Sequence, residues 1–358
     1  VNAIHATIDF DDTDALIAAD RDGLLRAASM AGAQVRSTAA AAEEGALDPV
    51  RGDTPRTLIW VAGRGTAETA GTMLAATLGG TTAAPIVVAA EAPPWIGALD
   101  VLIVAGDDPG DPALVGAAAT GVRRGARVVV AAPYEGPLRD STAGRVAVLE
   151  PRMRVPDEFG LGRYLAAGLA ALESIDPKLR TDLGVLADEL DAEALRNSAG
   201  REVFTNPAKA LAQRMTGRSI VLAGDSAATL ALARHGSSAL LRIGNQVVAA
   251  TGLADALIAL RTTPSFADAA DALFHDEAID GPLPERLRVL ALTLAADRTV
   301  VAARVAPLGD VDIVGAEDVP DVSVGAAGQV SAQRAEQQLA ILAVRLEMAA
   351  VYLRLVRG

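Results

Sequence analysis

FTNPAKALAQRMTGRSIVLAGDSAATLALARHG, residues 204–236, reads as helix, strand, loop and helix. SIVLAG is an apolar run that ends in glycine, and Ser226 is placed to cap the helix SAATLALARHG that follows. The same unit has already occurred once. TLIWVAGRGTAETAGTMLAATLGG, residues 57–80, is an apolar run, a glycine turn and a helical pattern. A chain that makes this unit twice predicts two lobes of related architecture. The question it raises is whether the two loops, VAGRGTAET and AGDSAAT, hold a ligand or are turns.

Around the first unit the pattern repeats. APIVVAA (84–90), DVLIVAG (100–106) and ARVVVAA (126–132) are buried-strand runs, and DPALVGAAATGVRRG between the last two is helical. Such alternation predicts an α/β domain with a mainly parallel sheet covered on both faces. Ahead of it, a helix is expected from Leu16 to Ala31 with Asp14 as its cap, then an Ala-rich helix before Gly45. Behind it, PRMRVPDEFG is a connector, and Leu165, Leu169 and Leu172 mark a helix that can pack on the sheet. The charged segment KLRTDLGVLADELDAEALRNSAGRE is a helical bridge. In the second lobe RLRVLALTL, RTVVAARVA and VDIVGAE read as strands. Leu339, Leu342, Leu346, Ala349 and Leu353 place a long buried helix at the end. The expected division is a first lobe over residues 1–175, a connector over 176–203 and a second lobe over 204–358.

Composition limits the partners. The 358 residues are 51% hydrophobic but 3% aromatic, so the core is built from Ala, Val, Leu and Ile. A net charge of −13 disfavours a nonspecific grip on nucleic acid or an anionic membrane. The absence of cysteine excludes disulfides, thiolate catalysis and Cys-ligated metals. The opening VNAIHATIDFDDTD is acidic without a basic leader, and the apolar runs are short and interrupted. No signal peptide or membrane span is expected, and a cytoplasmic protein is.

Gly63, Gly65 and Thr66 stand where a strand hands over to a helix. Glycine lets a ligand approach the backbone, the helix start offers unpaired N–H groups, Thr66 offers a hydroxyl and Arg64 a positive charge. A generic turn and a ligand loop both fit these residues. A dinucleotide fingerprint does not, because Glu68 stands at the third glycine position. In AGDDPGDPALV, residues 105–115, Asp111 is placed to cap a helix beginning at Pro112. A hard cation is the alternative use of Asp107, Asp108 and Asp111, although the stretch lacks the length and glycine position of a calcium loop. His5 near the start and His235 at the expected end of a helix read as structural.

The order of elements, the paired lobes, NPAKALAQRMTGRSIVLAG, LFHDEAIDG and the last helix resemble sugar isomerase (SIS) domain proteins with two such domains. The nearest group is the bifunctional phosphoglucose/phosphomannose isomerases. The resemblance implies two SIS-type lobes, aldose–ketose interconversion, a homodimer, and neither cofactor nor metal. It aligns a Gly-Gly-Ser type loop with Gly63, Arg64, Gly65 and Thr66, and a Ser/Thr-rich phosphate loop with residues 105–115, where Asp107, Asp108 and Asp111 replace hydroxyl donors. Pro151 and Arg152 match a Pro-Arg connector, which makes Arg152 the cation expected to face the cleft. His275 and Glu277 of LFHDEAIDG match a ring-opening His, contributed by the neighbouring subunit, and its companion Glu. The catalytic Glu of the family falls at Gly244 or Asn245, neither of which is a base, and its Lys falls near Arg334. A phosphosugar or other carbohydrate derivative is therefore the expected ligand. The expected role is isomerase-like catalysis, or non-catalytic binding on the same scaffold.

Overall fold

The computed structural model describes residues 8–176, 178–262, 287–318 and 334–357. A first sheet is built from Thr57–Ala62 (β1), Ile86–Ala89 (β2), Asp100–Ala105 (β3), Arg127–Ala131 (β4) and Ala147–Val148 (β5), in the order β2-β1-β3-β4-β5. A second has Ser219–Gly224 (β6), Ala249–Gly252 (β7), Leu287–Leu292 (β8) and Val311–Val314 (β9), in the order β7-β6-β8-β9. Every pairing in both is parallel.

The helices in chain order are Thr13–Ala19 (α1), Leu24–Ala28 (α2), Ala31–Glu43 (α3), Gly65–Leu78 (α4), Pro112–Arg123 (α5), Gly136–Thr142 (α6) and Leu161–Ile175 (α7). Then come Leu183–Arg196 (α8), Pro207–Met215 (α9), Ala227–Arg242 (α10), Leu253–Thr262 (α11), Arg298–Val305 (α12) and Ala335–Arg357 (α13).

β1 and β3 are buried along their whole length, so TLIWVA and DVLIVA need no polar alternation. The pleat sends Leu58, Trp60, Val101 and Ile103 to one face and Ile59, Val61, Leu102 and Val104 to the other. The second set meets Leu114 and Ala117 of α5 and Leu138 of α6. The first set opens into a core that continues through Leu74, Leu165, Leu232 and Leu346 to Leu222 and Leu290 of the second sheet. The two sheets thus share a central helical layer in which α4 packs on α7 and α10, and α13 on α8, α9 and α10. The outer face of the second sheet is closed by Leu253 and Leu257 of α11 and Val301 and Val305 of α12.

Small residues make the central layer thin. A Cβ on Gly71 would lie 2.3 Å from Cδ1 of Trp60, and one on Gly168 would lie 2.3 Å from Cδ1 of Leu74.

Three expectations are corrected. The helix expected over Leu16 to Ala31 is broken: α1 is capped by Asp12 instead of Asp14, Asp20 accepts hydrogen bonds from the Leu24 and Leu25 amides, and Gly23 turns the chain at φ +68°. RTVVAARVA forms α12 and not a strand, because Val301 and Val305, four residues apart, face the core while Val300 faces out. His235 does not end its helix, since α10 runs on to Arg242. No helix among the described residues is long and apolar enough to cross a membrane.

Candidate functional site

In each sheet the chain steps to one side of its first strand and then to the other. The carboxyl ends of β1 and β3, and of β6 and β8, are therefore the topological switch points where open parallel sheets leave a crevice.

At the first switch point the loops after β1 and β3 touch, and a Cβ on Gly63 would lie 2.5 Å from Oδ2 of Asp111. The second of these loops satisfies itself. Asp111 caps α5 by accepting from the Ala113 amide at 2.8 Å, and Asp108 accepts from the Gly110 amide at 2.8 Å. Asp107 Oδ1 lies 2.5 Å from Nη2 of Arg163. Ionised carboxylates only accept hydrogen bonds, so this loop presents nothing to an anion. Arg163, in the first turn of α7, is 9% exposed. Its Nη2 also donates to the Tyr164 hydroxyl at 2.7 Å, its guanidinium lies 4.3 Å from the centre of that ring, and its Nη1 is buried without a partner. Burial, above all, pushes the Tyr164 hydroxyl well up from its usual range, so it stays protonated.

The second switch point is also internally bonded. Thr229 donates to Asp225 Oδ1 at 2.8 Å, Thr293 to Oδ2 at 3.3 Å, and Ser226 forms a capping box with Thr229. The loop AGDSAAT is a cap and a brace.

A cavity of about 580 Å³ beside the start of α5 is lined by Glu91, Asp111 and Pro112. Another, of about 220 Å³, separates the amino end of α4 from α10, lined by Gly65, Thr66, Glu68 and Thr69 on one side and by Arg234, His235, Ser238 and Arg242 on the other. Arg234, Ser238 and Arg242 recur every four residues and so form one stripe of α10. α4 starts without a side-chain cap, with Gly65 at φ +67°, so its first amides have no side-chain acceptor and its positive dipole end faces this space. The Thr66 hydroxyl is already committed to the Asp157 carbonyl at 3.1 Å.

Arg242 closes one wall, with Nη2 2.9 Å from both Asp157 Oδ2 and Glu158 Oε1, and so ties the second lobe to the turn ahead of α7. Partial burial pushes the Asp157 carboxyl up, but Arg242 outweighs it and holds that carboxyl below its usual range. Arg234 is exposed and makes no ion pair with the described residues. At the back, Nε2 of His235 lies 2.8 Å from Oε1 of Glu347 on α13. Both side chains are buried, and burial raises the Glu347 carboxyl while His235 pulls it part of the way back.

Of the residues singled out in the sequence, Gly65 and Thr66 line this cavity. Gly63 and Arg64 are exposed just ahead of them, Arg64 in extended backbone at φ 178°. Arg152 sits elsewhere, bidentate on Glu44 at the end of α3, with Nη1 2.9 Å from Oε1, and is not among the lining residues. That hydrogen-bonded pairing raises the arginine and lowers the carboxyl. His275 and Glu277 lie outside the described residues. Arg234, Ser238 and Arg242 are not among the residues expected from sequence, although their four-residue spacing on the second unit's helix is a signal, and His235 is expected there to be structural.

No protein-family profile and no curated protein sequence matches this chain. Solved structures do. Tagatose-6-phosphate ketose/aldose isomerase from Escherichia coli superposes with a TM-score of 0.61 at 14% identity, over 99% of this chain and 95% of that one. A provisionally named phosphosugar isomerase from Clostridium difficile 630 gives 0.64 at 11% identity, over 93% of each chain. The C-terminal domain of glucosamine-fructose-6-phosphate aminotransferase from Francisella tularensis gives 0.58 at 9% identity, over 95% and 98%. The chain shares its overall fold with these structures.

Proposed function

We propose that this chain binds a carbohydrate derivative of the phosphosugar type in the cavity between α4 and α10, and not on the loop after β3. The observation that carries the reading is the Asp107–Arg163 contact at 2.5 Å, together with Asp108 and Asp111 bonded to their own loop. A site filled by the protein's own carboxylates repels a phosphate. The α4–α10 cavity is mixed in charge, with Glu68 and Glu158 beside Arg234 and Arg242. Arginine donors, carboxylate acceptors and the hydroxyls of Thr69 and Ser238 alternate around it, which suits a polyhydroxylated ligand, and the open start of α4 beside Arg234 suits one anionic group.

Aldose–ketose interconversion is the reaction class this reading carries with it. His275 and Glu277 are its candidates for ring opening and proton transfer, in a homodimer of chains divided into lobes 1–175 and 204–358 joined by 176–203. A sensor that binds without turnover is the second reading, favoured by Gly244 and Asn245 standing where the resemblance puts a catalytic carboxylate.

Titration calorimetry with glucose 6-phosphate and fructose 6-phosphate tests the site. Binding is expected to be abolished by Ser238→Trp, which fills the cavity, and retained by Asp108→Asn. Binding that survives Ser238→Trp rejects the location, and isomer formation followed by NMR separates enzyme from sensor.

A further inference from the structure

A histidine and a glutamate are buried against each other in a largely aliphatic core that also encloses the Arg345–Glu193 pair. Side-chain exposure is 4% for His235 and 3% for Glu347, and their neighbours on α10 and α13 include Leu232, Ala239, Leu346 and Ala350. Removing two polar groups from water costs more than an apolar pair of the same volume, so packing alone gives no reason for them. The pair does have an open end. Glu347 holds Nε2, Nδ1 has no hydrogen bond to the described residues, and His235 is among the residues lining the cavity, beside Ser238 and Arg242.

We infer that His235 is the general base of this cavity, with Glu347 as the positioning residue that orients it from behind. The inference rests on the ligand site proposed above. When Glu347 is ionised it accepts from Nε2–H and fixes the tautomer in which Nδ1 carries the lone pair, the arrangement in which one ring nitrogen is held and the other takes a proton. For an open-chain aldose, Nδ1 removes the proton from C2, the C2–H electron pair becomes the C1=C2 bond, and the carbonyl pair moves to O1. The oxygen's charge is met by the guanidinium groups and amides of the cavity wall. Return of the proton from the imidazolium to C1, with the O2 proton passing to O1, gives the ketose and restores the base. No oxidant, metal or cofactor enters. His235 supplies the base that Gly244 and Asn245 do not.

The charged groups that line the cavity with His235 are Glu68, Glu158, Arg234 and Arg242, while Glu347 holds the ring from α13.

The test is exchange of the C2 hydrogen of glucose 6-phosphate in D2O, followed by proton NMR with the full chain, beside calorimetric binding of the same sugar. His235→Gln is expected to bind as wild type does and to lose exchange by about 100-fold or more, the usual range for a general base. Glu347→Gln is expected to retain binding, to slow exchange, and to lose the single tautomer of His235 in long-range 1H–15N spectra. Long-range 1H–15N spectra of the unmutated protein at pH 8 should show Nε2 protonated and Nδ1 bare, a readout that needs no variant. Binding without exchange in wild type, exchange untouched by His235→Gln, or the opposite tautomer overturns the base and leaves the ligand site standing. No binding of glucose 6-phosphate or fructose 6-phosphate overturns both.

Discussion

Asp107 Oδ1 lies 2.5 Å from Nη2 of Arg163, and this contact closes the loop after β3 against the start of α7. Arg163 is nearly buried and already has one nitrogen without a partner, so it depends on this carboxylate. Asp107 itself is 39% exposed, which screens the pair. Asp107→Ala should cost about 1–2 kcal/mol, less than the loss of a fully buried pair. The urea midpoint measures it, and a variant as stable as wild type would show that water replaces the carboxylate at no cost.

Gly71→Ala should destabilise more than Gly65→Ala, although only Gly65 has a left-handed backbone. At Gly71 a methyl meets the ring of Trp60 at 2.3 Å, and that indole is fixed by its hydrogen bond to the Ala67 carbonyl at 3.0 Å. Overpacking of this kind costs about 1–3 kcal/mol. At Gly65 the space is open and only the strain at φ +67° counts, about 1 kcal/mol. Thermal unfolding of the two variants decides the order.

These two glycines also show what the sequence could and could not tell. Both strand–loop–helix units, four of the five strands of the first sheet, and the buried C-terminal helix are legible in the sequence, because apolar runs and helical spacing report local burial, whereas the two-residue β5 is too short to show. The break at Gly23 was not, since apolar spacing continues across it while Asp20 diverts the amides of Leu24 and Leu25. RTVVAARVA was misread because β-branched residues suggest a strand, whereas the i,i+4 pair Val301 and Val305 packs on the sheet as a helix. The candidate cavity was half legible. Gly65 and Thr66 announced themselves, but Arg234, His235 and Arg242 join them only because α10 packs on α4, a contact between units about 165 residues apart that no local pattern carries.

Arg345 and Glu193 should form the most sensitive ion pair of the core. Arg345 is 2% exposed, donates to Glu193 Oε1 at 2.7 Å and to the Gly315 and Ala316 carbonyls at 2.8 and 3.1 Å, and so joins α13 to α8 and to the end of β9. Burial works to raise the Glu193 carboxyl, but Arg345 and then Arg196 outweigh it and hold it below its usual value. A depressed carboxyl stabilises above its unfolded pKa of about 4.3 and loses that contribution as pH falls through the folded pKa. Arg345→Met should cost about 3–5 kcal/mol at pH 7. The deficit should shrink as pH falls from 7 to 4, since protonation relieves a Glu193 carboxylate that has lost Arg345, and urea unfolding at the two pH values checks the sign.

Glu347 is predicted to behave in the opposite sense. Burial raises its carboxyl, so the folded chain resists its ionisation, and stability relative to Glu347→Gln is greatest below pH 4.3 and falls as pH rises through the folded pKa. Unfolding midpoints from pH 4 to 8 should therefore move in favour of the Gln variant as pH increases. A constant difference would mean that His235 neutralises the carboxylate fully.

We propose that the ligand sits in the cleft between α4 and α10 and not on the loop after β3. A crystal soaked with glucose 6-phosphate tests it most directly. The sugar is predicted between Gly65–Thr69 and Arg234–Arg242, in reach of His235; a phosphate seated on residues 106–111, with Asp107 released from Arg163, would contradict it.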